Sequence, residues 1–169
     1  MPRQKPTPTR EVLEVDWAFF GELCRALAVH VARGYSPDLV VGIAKAGVVP
    51  AAIVASMLQQ ELATMVISRR DAEGMPELVA GPPPFVTGRR VLVVDETCDS
   101  GDTMKLALNT ILAAEPADVR TAVSFKTGAY QTDFHAFETD KAIILPWDRE
   151  VVVDGTLVVR PDLRGWLTA

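Results

Sequence analysis

Residues 91–105, VLVVDETCDSGDTMK, set three chemical devices in order along one strand-to-helix passage. The apolar run Val91 to Val94 predicts a buried strand that carries two adjacent carboxylates, Asp95 and Glu96, to the carboxyl edge of a sheet, where open α/β folds bind ligands. A polar loop follows, Asp99-Ser100-Gly101-Asp102-Thr103. It opens a helix with apolar Met104, Leu106, Ala107, Leu108 and Ile111, so unpaired N–H groups and the positive end of the helix dipole face the loop. A phosphate dianion fits that environment, with the hydroxyls of Ser100 and Thr103 as further donors. The vicinal hydroxyls of a pentose in turn suit a pair of accepting carboxylates. Helix capping alone accounts for Ser100 or Asp102 but not for Asp95 and Glu96. Neither G-x-x-x-x-G-K-[ST] nor G-x-G-x-x-G occurs, which excludes the P-loop and dinucleotide fingerprints.

Working outward, the chain is long enough at 169 residues, 49% of them hydrophobic, for one well-cored domain and short for two. The expected organisation is a flexible tail over 1–10 and a single domain over 11–169. Within it 69–89 forms a lid loop and 126–169 a hood ending in a hairpin. Cys24 and Cys98 give neither a disulfide framework nor a metal-ligand spacing, which suits a reducing compartment. The polar, proline-rich start MPRQKPTPTR lacks the apolar core of a signal peptide, and no apolar run approaches the ~20 residues that span a bilayer. A cytoplasmic protein is expected. A net charge of −5 argues against a nucleic-acid surface. Charge for a polyanionic substrate would then come from cations near the strand ends, among them Lys45, Arg69, Lys105 and Lys126, and from a divalent metal.

Asp16 reads as an N-cap, and Trp17, Phe20, Leu23, Leu27 and Val31 recur at helical spacing up to Gly34. Strands are expected over 38–43, 62–68, 91–94, 119–125 and 142–145, and helices over 51–60 and 103–113. This alternation predicts a parallel sheet with right-handed crossovers. Residues 69–89, rich in Gly and Pro, show no period of either kind. VVV-DG-TLVV near the end is a hairpin signal.

VLVVDETCDSGDTM resembles the 5-phosphoribosyl-1-pyrophosphate (PRPP) motif of type I phosphoribosyltransferases, an apolar strand, two acids and a D-[ST]-G-x-T loop. The resemblance implies an α/β, Rossmann-like parallel sheet flanked by helices, with a small hood formed by the C-terminal segment. It implies that Asp95 and Glu96 hold the ribose hydroxyls directly or through Mg²⁺, with Asp148 a further metal ligand. Asp99, Ser100, Gly101, Asp102 and Thr103 would cradle the 5′-phosphate, with the Asp102 carboxylate pointing outward, and Asp99 would serve as general base near N7 of the acceptor. VVGIAKAGVVPA, residues 40–51, is similar to the family's pyrophosphate loop. Ala44, Lys45, Ala46 and Gly47 take that role, joined by Arg69, and a cis peptide is implied at Ala44–Lys45. Ala46 stands where a glycine is frequent.

The acceptor base is read from the last third of the chain. In 6-oxopurine members a lysine ending the corresponding strand donates to O6, and Lys126 falls there; a solvated strand terminus is the alternative. ILPWD resembles the hood of bacterial xanthine-guanine enzymes, which implies base contacts from Ile143, Ile144, Trp147 and Asp148, although Trp147 reads equally well as a core residue. Ala142 stands where those enzymes carry a stacking aromatic. The resemblance therefore implies transfer from PRPP to xanthine, guanine or hypoxanthine in purine salvage, by a homodimer or homotetramer that binds neither nucleic acid nor membrane. A non-catalytic PRPP-binding regulator and transfer to a pyrimidine are the alternatives.

Overall fold

A computed structural model describes residues 10–69 and 75–164. The chain divides into two compact units, Gly21–Thr139 and a second that joins Met1–Phe20 to Asp140–Ala169. The larger unit is built on a six-stranded sheet. Its strands are β2 (Leu39–Ala44), β3 (Glu61–Arg69), β4 (Pro76–Ala80), β5 (Arg90–Cys98), β6 (Asp118–Lys126) and β7 (Phe134–Glu138), in the order β4-β3-β2-β5-β6-β7. All neighbours are parallel except β3 and β4. Strands such as LVVGIA and VLVV are apolar on both sides because helices cover both faces. On one face α3 (Asp102–Leu112) packs Met104, Ala107 and Ile111 against Val41, Val93 and Val123. On the other, Leu27 and Val31 of α1 (Trp17–Gly34) and Ala51 and Val54 of α2 (Val48–Leu58) meet Val40, Leu92 and Val94. Full burial of each Val, Leu, Ile or Met side chain among these stabilises the fold by about 1.5–3 kcal/mol, and Leu27→Ala would cost roughly 2–5 kcal/mol.

The expected elements are present with small shifts, and α1 is capped as its sequence implies, with the Phe19 N–H donating to Asp16 Oδ1 at 2.7 Å. Three strands depart from the sequence reading. β4 lies within the segment read as a lid loop. It is an edge strand with mostly exposed side chains and Pro76 at its start, so neither alternation nor a buried run marks it. The rest of that reading rests partly on 70–74, outside the described residues, as the tail over 1–9 does. β7, within the segment 126–169 expected as the hood, adds to the large sheet, and the second unit takes its strands from β8 onward. It also recruits β1 (Val12–Glu14), a three-residue strand too short to show a period.

In this second unit β1 pairs in parallel with β8 (Ala142–Ile144). β9 (Glu150–Val153) and β10 (Thr156–Val159) form the expected hairpin. Its turn residues Asp154 and Gly155 have φ of 50° and 75°, the left-handed pair that a type I′ turn requires. No helix among the described residues is long and apolar enough to cross a membrane.

Candidate active site

Chain order runs outward from β2 to β3 on one side and from β5 to β6 on the other, so the topological switch point lies between β2 and β5. A cavity of about 310 Å³ opens there. It is lined by Ala44, Lys45 and Ala46 from the end of β2, by Asp95 and Glu96 from β5, and by Asp99, Gly101, Asp102 and Thr103 from the loop into α3. The two constellations marked in the sequence, fifty residues apart, thus face one space.

β5 runs on through the acids to Cys98, paired with β6 as far as Cys98–Lys126, so both carboxylates stand on a hydrogen-bonded strand end and not on a loose loop. Asp95 is buried, and its Oδ1 accepts the Glu96 N–H at 2.9 Å. Glu96 is half-buried and Lys45 exposed. The Ala44–Lys45 peptide is cis. Gly47 lies behind the loop, where a Cβ would stand 2.6 Å from Asp95 Oδ1 and from the Ile43 carbonyl oxygen.

The loop before α3 is shaped by Gly101, which occupies the N-cap position with φ of 84° and provides no side-chain cap. The start of α3 borders the cavity, and of its first-turn N–H groups only that of Asp102 has a side-chain partner among the described residues, Ser100 Oγ. A Cβ at Gly101 would also overlap the Tyr130 ring, and one at Gly128 would overlap the carbonyl and carboxylate of Asp99. Asp102, whose carboxylate is expected to point outward, is among the residues that line the cavity. Its Oδ2 accepts from Ser100 Oγ at 2.8 Å, and Lys105 Nζ lies 3.4 Å from its Oδ1. Ser100 is thereby turned toward Asp102, whose N–H it also accepts at 3.3 Å. Burial, then the charges of Asp95 and Asp99, pushes the Cys98 thiol up to about 11, so this cavity-lining thiol stays protonated at neutral pH.

Lys126 is buried at the end of β6, where its Nζ donates to Glu138 Oε1 at 2.5 Å. The remaining expected base contacts belong to the second unit. Ile143 and Ile144 lie on β8, where the Ile144 carbonyl accepts the Val15 N–H at 2.9 Å. Trp147 packs against Phe20 at 4.9 Å edge-to-face and Trp17 at 5.7 Å. Asp148 Oδ1 lies 3.5 Å from Arg160 Nη1. Arg69 ends β3, but its side chain lies outside what the structure describes. Sequence reasoning missed Gly128, Tyr130 and Glu138, because their roles arise from tertiary packing and no local pattern announces them.

Among the described residues no three His, Cys, Asp or Glu side chains come together as a metal-holding group. Two neighbouring carboxylates still fit magnesium, which keeps water or substrate oxygens on most of its positions.

The family description of the phosphoribosyl transferase domain matches residues 16–155, well over half of the chain. The chain belongs to the phosphoribosyl transferase family. As a phosphoribosyltransferase it is a PRPP-dependent glycosyltransferase by class. Among solved structures it is similar to the purine phosphoribosyltransferase from Pyrococcus horikoshii Ot3, with 22% identity, a TM-score of 0.76 and coverage of 85% of this chain and 98% of that one. It is also similar to the xanthine-guanine-hypoxanthine phosphoribosyltransferase of Helicobacter pylori, with 17% identity, a TM-score of 0.67 and coverage of 82% and 94%. A hypothetical protein from Neisseria gonorrhoeae with bound ppGpp matches with 23% identity, a TM-score of 0.67 and coverage of 88% and 94%. At these identities the likenesses speak to the fold, and no curated protein matches the sequence.

Proposed function

We propose that this phosphoribosyltransferase moves the 5-phosphoribosyl group of PRPP to a 6-oxopurine, giving a purine nucleoside monophosphate and pyrophosphate. The observation that carries the reading is the shared cavity: a pyrophosphate-type loop, an acidic pair and a helix N-terminus with glycine at its N-cap line one space of about 310 Å³. The Thr103 side chain and the first N–H groups of α3 take the 5′-phosphate, with the loop bent by Gly101. Asp95 and Glu96 orient the ribose by accepting from its hydroxyls, and they are the carboxylates that would hold magnesium. Bound there, magnesium supplies positive charge to offset that of the departing pyrophosphate.

Bond breaking at C1 leaves an oxocarbenium-like sugar, and the developing negative charge falls on pyrophosphate. Lys45, exposed at the cavity wall, stabilises that charge, with Arg69 as its expected partner. Asp99 lines the same cavity and takes the proton that the purine loses as N9 bonds to C1. Lys126 donates to the exocyclic oxygen of the base, while Ile143, Ile144, Trp147 and Asp148 are the hood residues assigned to the base edge. A dimer or tetramer is the assembly the family resemblance implies.

Pyrophosphate release from PRPP and magnesium, measured in parallel with hypoxanthine, xanthine, guanine, adenine, uracil and orotate, tests the reading. Release with one or more of the first three alone is expected. Release with uracil or orotate alone contradicts the choice of base. The ppGpp-bound Neisseria relative favours a second reading, a regulator whose site holds a phosphorylated ligand without transferring it; that reading predicts no release with any base.

A further inference from the structure

Lys126 sits in the middle of a line of three residues in register across the sheet, with Cys98 of β5 on one side and Glu138 of β7 on the other. Cys98 lines the cavity, so the lysine stands one strand away from it. The Lys126 side chain is only 6% exposed, and its ammonium is bonded to the Glu138 carboxylate, which is 57% exposed. Phe125 and Phe137, the preceding pair in the same register, meet edge-to-face at 6.1 Å and keep the two strands in step. The other Glu138 oxygen lies 3.7 Å from His135 Nε2. Glu138 of β7 and the Cys98 thiol of β5 are the titratable groups that face this ammonium, and His135 faces the Glu138 carboxylate instead.

We propose that Glu138 is a positioning and specificity-determining residue: it anchors the buried ammonium of Lys126 so that its remaining N–H donors meet an oxo acceptor on the base. The inference rests on the reading of Lys126 given above. An ammonium has three donors and no acceptor, so with one donor held by Glu138 it pairs with a carbonyl and leaves an amino substituent unmatched. Sites built on such pairing reject the mismatched base strongly, because a buried polar group is left without a partner. Without the carboxylate the lysine end is free to turn away from the base.

Glu138→Gln in the full chain, uniformly labelled with ¹⁵N at lysine Nζ, tests this. The Lys126 Nζ–H signal, assigned by its loss in Lys126→Arg, is expected in the wild type and absent in E138Q. The KM for hypoxanthine is expected to rise at least about tenfold in E138Q, while the KM for PRPP stays within about twofold. If E138Q does not fold, the same readouts are taken on Glu138→Asp, where smaller changes in the same direction are expected. An unchanged Lys126 signal, or a hypoxanthine KM that does not move in the folded variant, overturns the proposal. If the wild type releases no pyrophosphate with any base, the functional reading fails by itself. Glu138 is then judged by calorimetry of hypoxanthine binding, which E138Q must weaken about tenfold for the proposal to stand.

Discussion

Gly47 and Asp95 interlock: a Cβ on Gly47 would lie 2.6 Å from Asp95 Oδ1, so the loop after β2 and the acid at the end of β5 hold each other in place. The two walls of the cavity, the loop after β2 and the acids of β5, are therefore one packed unit. Gly47→Ala must displace either the carboxylate or the loop. It is expected to lower stability by about 1–3 kcal/mol, as overpacking does, and to weaken PRPP binding at least about tenfold. Thermal unfolding and calorimetry measure the two effects, and full PRPP affinity in G47A would show that the contact is incidental.

Gly101 is constrained twice, by a φ of 84° and by the Tyr130 ring behind it. Gly101→Ala should cost about 1–3 kcal/mol through backbone strain, with a further loss from the clash. The double variant with Tyr130→Ala relieves the clash alone. Tm values of the single and double variants separate the two contributions.

Asp99 lines the cavity, with its backbone and carboxylate packed against Gly128. On the proposed role, in which Asp99 takes the proton from the base, its replacement by Asn lowers kcat by roughly 10²- to 10⁴-fold and leaves PRPP binding intact. A kcat change below about threefold, far under the usual effect of losing a general base, would remove Asp99 from that role.

Much of this was legible in the sequence because the informative residues are contiguous: strand, acids and loop fall within 91–105, and VVGIAKAG carries the second wall. The capped start of α1 and the Asp154-Gly155 turn were equally local signals. Edge strands were not legible. β4 and β7 have one side or both in solvent, so burial leaves no period in their residues. Glu138 meets Lys126 only through strand pairing across twelve residues, which no motif encodes.

Burial raises the thiols of both Cys24 and Cys98 from an ordinary 9.0 to about 11. Unfolded thiols release their protons first, so between those values the unfolded chain binds fewer protons and stability falls as pH rises. The contribution is fully present below pH 9 and lost through pH 11. Urea unfolding midpoints across that window should decline in the wild type and decline less steeply in Cys24→Ser/Cys98→Ala, where the raised Tyr35 hydroxyl still contributes. The same protonated state predicts slow alkylation of the native protein by iodoacetamide at pH 7.5, about the conditions under which free surface thiols react.

Calorimetric titration of PRPP with magnesium into the wild type and into Asp95→Asn/Glu96→Gln bears most directly on the claim that one cavity grips the sugar phosphate from both sides. Saturable binding is predicted for the wild type, with a loss of at least about a hundredfold in the double variant, the scale expected when two charge-assisted contacts go. No heat in the wild type, or equal affinity in both proteins, would contradict it.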